Sequence, residues 1–201
     1  TISGGASTFT GLTTISAGTL KLGSAGSGSN TPFGTVAGGI TITSGAILDL
    51  NGYSLATAEP IGSFNGTGLA GIGALINNSA NPTTFSGNIT LGVASRIANH
   101  GSGLLTLTSP TISGNFALTF VTVGDITQSS ASVRSGTSTI IKEGSGSLIL
   151  AGQNSFTGAV TVSTGKLQLG ASGGATNTPL GTNAGGVTVA LGAVLDLSTF
   201  S

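Results

Sequence analysis

His100 is the only histidine, in the run Ala98-Asn99-His100-Gly101-Ser102-Gly103, and its nearest acid in sequence is Asp125. A general base needs an orienting acid and a nucleophile within reach, so His100 reads as a turn residue facing solvent. Glycan-cleaving sites need paired carboxylates on one face, and the chain has five acids in 201 residues. Asp49 and Asp196 both sit in Leu-Asp-Leu, which argues for an outward, solubilising role in each. Gly38-Gly39 and Gly173-Gly174 lack the Asp that follows such pairs in calcium-binding solenoids. A phosphate loop would need Gly-Lys-Ser/Thr leading into a helix, and that is absent. Thr41-Ile42-Thr43 and Thr106-Leu107-Thr108 resemble the pairs of ice-binding solenoids, without the constant spacing that a flat array needs. The chain has no cysteine, so thiol catalysis, disulfides and thiolate metal sites are excluded. We therefore expect no catalytic, cofactor-binding or metal-binding residues, and no cofactor.

The elements that must hold these residues are short. Between Ser145 and Gly170 three apolar runs occur: Leu148-Ile149-Leu150, Val160-Thr161-Val162 and Leu167-Gln168-Leu169. The polar middle residue of the last two gives period 2, the pattern of a half-buried strand. Similar runs end near Ile15, Leu22, Ile42, Leu50, Leu91, Ile97, Leu107, Ile112, Phe120, Ile126, Val133, Ile141, Val189 and Leu197. Most neighbours lie six to nine residues apart, tighter than sandwich strands. Three such strands make a coil of roughly 20–25 residues, within the range of solenoid repeats. The expected fold is therefore all-β, a parallel β-helix of about nine coils. Leu148, Leu150, Val160, Val162, Leu167, Leu169, Val187, Val189, Leu195 and Leu197 should face inward, as should Ile40, Ile42, Leu48 and Leu50. Thr41, Asp49, Thr161, Gln168, Thr188 and Asp196 should face out. Thr57–Pro82 is the least regular stretch.

Composition supports stacking. Charged residues are 5%, against roughly 25% in ordinary domains, and like charges stacked at the ladder spacing of about 4.8 Å would repel. Mean hydropathy is +0.44, too apolar for a disordered chain. The net charge is zero and the five basic residues are dispersed, so there is no footprint for nucleic acid. No apolar run is long enough to span a membrane as a helix.

The chain repeats itself. Phe9-Thr10-Gly11 returns as Phe156-Thr157-Gly158, Asn30-Thr31-Pro32 as Asn177-Thr178-Pro179, and Leu48-Asp49-Leu50 as Leu195-Asp196-Leu197, each at an offset of 147. Without a gap, 27 of the 54 pairs from Thr1/Leu148 to Ser54/Ser201 are identical. A fixed period marks a repeat architecture. Residues 1–147 read as one module and 148–201 as the first third of the next, continuous with it. Gly/Ser/Asn-rich loops at 24–32 and 171–179 end in Asn-Thr-Pro and should leave the sheet.

The run Gly144-Ser145-Gly146-Ser147-Leu148-Ile149-Leu150-Ala151-Gly152-Gln153-Asn154-Ser155-Phe156-Thr157-Gly158, followed by Thr161, Gly165, Leu167, Leu169 and Gly170, resembles the autotransporter-associated β-strand repeat. Gly5 through Gly23 looks like a second copy with a truncated first strand. The resemblance implies a right-handed parallel β-helix in a secreted or surface passenger of a Gram-negative bacterium, and it brings no catalytic residues. The expected function is a structural stalk or fibre segment of an extracellular adhesin. Its partners are adjacent modules of the same chain or copies stacked end to end. The alternatives are an adhesive module using the loops at 24–32 and 171–179 against host, cell or glycan surfaces, and, last, a polysaccharide-acting enzyme.

Overall fold

A computed structural model describes residues 1–109, 111–131 and 133–200. The backbone winds as a parallel β-helix whose strands stack on three faces. The first face holds Thr13–Ile15, Ile40–Ile42, Ile61–Gly66, the start of Ile89–Asn99, Thr111–Ser113 and Val133–Arg134. The second holds Thr19–Lys21, Ile47–Asp49, Leu75–Asn77, the end of Ile89–Asn99, Leu118–Thr122, Ile140–Glu143, Val160–Val162 and Val187–Val189. The third holds Thr83–Phe85, Leu105–Leu107, Ile126–Gln128, Ser147–Leu150, Lys166–Leu169 and Val194–Asp196. All these pairings are parallel. Among the described residues the one pair of antiparallel strands is a hairpin, Asn30–Thr31 with Gly34–Thr35.

One coil takes from 19 residues, Leu148 to Leu167, to 29, Gly66 to Ser95. The second face stacks eight strands, and Ile2, bridged to Leu22, begins a ninth level. Thr57–Pro82 is regular in two places, Ile61–Gly66 and Leu75–Asn77, which flank an excursion carrying a short 3-10 turn at Leu69–Gly71. Several strands run past their expected ends, through Asn99, Thr122, Gln128, Arg134 and Glu143.

Alternation sets the core. Ile40, Ile42, Leu48, Leu50, Leu148, Leu150, Val160, Val162 and Leu167 are buried inside, and Leu169 nearly so. Identical or similar side chains stack level on level, as in Ile126–Leu148–Leu167. Three expectations fail on accessibility. Val187 and Val189 are 40% and 41% exposed and Leu197 is 50% exposed, whereas their repeat counterparts Ile40, Ile42 and Leu50 are fully buried. The phase is right, since Val187 and Val189 stack directly on buried Val160 and Val162. The cause is coverage: Ile40 and Ile42 lie between two strands, Val187 and Val189 against one. Asp49 also departs, being 3% exposed. It points away from the core, between inward Leu48 and Leu50, but the next coil closes over it.

Leu148→Ala should cost about 2–5 kcal/mol in urea denaturation, the range for a buried leucine truncated in a close-packed stack. Leu197→Ala should stay within about 0.5 kcal/mol, and equal losses at the two positions would contradict this account of the core.

Candidate functional site

The polar groups fasten coils to one another. Asp49 Oδ1 accepts the backbone N–H of Asn51 at 2.9 Å and of Asn78, one coil on, at 3.3 Å, while Lys21 Nζ lies 3.9 Å from its other oxygen. Asp196 repeats the turn contact, accepting Ser198 N–H at 2.8 Å, with Lys166 Nζ at 3.6 Å. The solubilising role expected for Asp49 gives way to a turn-forming one, because an aspartate two residues before a turn N–H satisfies it locally. Asp125 is exposed and accepts Ser147 N–H at 2.7 Å. It borders an open groove of about 460 Å³ lined also by Thr127 and Ile149.

His100 is half-buried, its Nε2 2.7 Å from the Ile72 carbonyl. Arg96 Nη1 donates to Gly71 O at 2.8 Å and Nη2 pairs with Glu143 at 3.1 Å. Together they hold the 3-10 excursion to the coil above it. Among the described residues no three His, Asp, Glu or Cys side chains gather as a metal site would need.

Inside the helix lie residues that the sequence reading passed over. Asn77 and Asn99 stack in register on neighbouring levels, and Asn99 Nδ2 donates to Gly103 O and Asp125 O at 2.8 and 2.7 Å. Lys142 occupies the core position between Phe120 and Val162. Its ammonium donates to the carbonyls of Glu143, Gly144 and Thr164 at 3.1, 2.8 and 3.0 Å, filling all three donors. Burial pushes this group down to about 8, against the pull of Asp125 and Glu143. Arg134 is likewise buried, giving bonds to Ile112 O and Phe116 O, and burial lowers it to about 10. The signal for Lys142 was present: it is in phase with Ile140, and period 2 sends both inward.

Asn154 is the best connected of these. It exchanges two hydrogen bonds with Gln128 on the coil below, at 2.8 and 3.0 Å. Its Oδ1 also accepts Arg134 N–H at 2.6 Å, and its Nδ2 donates to Pro179 O on the coil above at 2.7 Å. Phe156, two residues on, is fully buried. Glu59 is the one fully buried acid among the described residues. Thr31 Oγ1 donates to its Oε2 at 2.9 Å, and Oε1 has no partner. Burial raises its pKa, partly offset by Thr31 and the Gly39 N–H.

The loops at 24–32 and 171–179 do leave the sheet, yet they are anchored. Thr31, Pro32 and Phe33 are buried, and only Ser27–Ser29 is exposed at the first tip. The exposed part of the second is 172–176. Gly34 and Gly181 adopt positive φ of 98° and 92°, and a side chain there would strike the carbonyls of Phe9 and Phe156 respectively. The Phe-Thr-Gly and Asn-Thr-Pro motifs are thus two halves of one contact, made once in each copy.

Fold and polar ladders together define a parallel β-helix whose motif residues serve stacking. The passenger-associated-transport-repeat family matches at residues 1–22 and 140–169. Two segments of the chain are thus similar to a passenger repeat, as the motifs suggested, and proteins carrying this repeat type are secreted or surface-exposed in Gram-negative bacteria. No curated protein and no solved structure matches the chain. No helix among the described residues is long and apolar enough to cross a membrane.

Asn154→Ala should lower stability by about 1–3 kcal/mol, because it removes the bonds to Gln128 and Pro179 O and leaves the Arg134 N–H unsatisfied in the interior. A loss near zero by urea denaturation would show that these groups find water instead. Glu59 gives a pH test. Its folded pKa lies above its ordinary value of 4.5, so the folded chain holds the proton more tightly than the unfolded one. Stability is then highest below that value and declines as pH rises above it. Glu59→Gln should flatten this slope, and an unchanged slope would assign it elsewhere.

Proposed function

We propose that the chain is a structural stalk segment of a surface-exposed, autotransporter-type adhesin built from tandem 147-residue β-helical modules. In this reading 1–147 is one module, 148–201 opens the next, and the partners are adjacent modules of the same chain. The observation that carries it is the equivalence of the two copies. The matched segments end at Leu22 and Leu169, 147 residues apart. Thr13–Ile15 pairs onward with Ile40–Ile42 in the same register in which Val160–Val162 pairs with Val187–Val189. A repeat that stacks on its own kind by backbone ladders extends a rod without new chemistry. A non-enzymatic role is supported by where the acids are spent: Asp49 and Asp196 bind turn N–H groups, and Asp125 binds the N–H of Ser147 at the start of a strand. An adhesive role for the loops is the second reading, favoured by the exposure of Ser27–Ser29 and 172–176.

The test is a chain extended after Ser201 by a second copy of residues 55–201. Small-angle scattering should show a rod about 30 Å longer, at ~4.8 Å per coil, melting in one transition at a higher denaturant concentration. Two independent, flexibly joined bodies would refute the stalk.

A further inference from the structure

The two copies do not sit on the same faces. In the first, Thr13–Ile15 lies on the first face and Thr19–Lys21 on the second. Their counterparts at +147, Val160–Val162 and Lys166–Leu169, lie on the second and third faces. Counting levels along the second face, Val160–Val162 stacks six levels after Thr19–Lys21, through Ile47–Asp49, Leu75–Asn77, Ile89–Asn99, Leu118–Thr122 and Ile140–Glu143. A module is therefore six turns plus one face long. The excursions follow. The first crosses the third-face position: Ala56, one coil on, donates to Ala25 O, and Thr83, which opens the third-face stack, donates to Tyr53 O. The second crosses the first-face position, where Thr178 bridges Asn154 and Ser155 N–H bonds Arg134 O of the first face.

We infer that the repeat acts as a screw, each copy presenting its excursion one face further around the solenoid than the copy before. The inference rests on the tandem reading above. Three modules make nineteen turns and restore the starting face. A partner lying flat along one side meets the same tip only at every third copy, about 90 Å apart at ~4.8 Å per coil. A partner that surrounds the fibre meets one at every copy. The display fits neighbours on all sides rather than a single flat surface.

The chain has no cysteine, so introduced thiols are unique sites for spin labels. Tip reporters are Ser29→Cys and Ala175→Cys. References are Thr127→Cys on the third face and Thr111→Cys on the first, which lie within one coil of each other. Electron–electron distances in the full chain should place the Ser29 label nearer Thr127 than Thr111, and the Ala175 label nearer Thr111 than Thr127. Both tips lying nearer the same reference would overturn the screw. In the extended chain described above, tip labels should again fall on successive faces. A continuous rod with its tips in one line would refute the screw and leave the stalk standing. A chain that forms no continuous rod would remove the stalk and, with it, the screw, even with the four distances as expected.

Discussion

The parallel backbone ladder between coils is the constraint on which everything else depends. Each coil is too short to hold its own shape, and each strand gains its hydrogen bonds only from the levels above and below. At a spacing of about 4.8 Å, whatever occupies one level must tolerate the side chain on the next. Aliphatic residues do so by packing, as in Ile126–Leu148–Leu167. Polar residues do so only when paired, as with Asn77 on Asn99 or Asn154 with Gln128. Charges do so when spent on backbone groups, Lys142 on carbonyls and Asp49 on N–H groups. The low charge content of the chain is a consequence of this rule.

The motif residues gain a physical meaning from the same rule. Asn154 reaches one coil down to Gln128 and one coil up to Pro179, so a single side chain ties three levels. Phe156 fills the interior beside it, and Gly181 lets the returning hairpin close on the Phe156 carbonyl. The repeat encodes stacking contacts, and the polar residues of the candidate site fasten one coil to the next.

Much of this was legible in the sequence. Period-2 runs of Leu, Ile and Val placed the strands and the inward residues, and the 147-residue offset revealed two copies before any coordinates. What escaped has three physical causes. Arg134 and Lys142 are in phase with the core, but a charge there is unreadable without the carbonyls that receive it. Asp49 points outward as expected, yet its burial depends on the next coil and not on its own strand. Val187 and Leu197 have the right phase, but accessibility in a stack is decided by the neighbouring level, which periodicity does not describe. Face assignment escaped as well, because coil lengths between 19 and 29 residues accumulate into a shift that no local pattern displays.

The strand Ile89–Asn99 runs across two faces without a break. Below it the first-face ladder is anchored. Above it that ladder ends by Val133–Arg134, while the third-face ladder, begun at Thr83–Phe85, carries on to Val194–Asp196. In a carpenter's terms the two are scarfed together, overlapping along the middle of the beam, with the second face as an unbroken spine. A tear started on the first face at one end meets the long strand before it can cross the shaft, and one started on the third face at the other end meets it too. Tension along the axis is handed from one sheet to the next through a continuous length of backbone rather than through a loop.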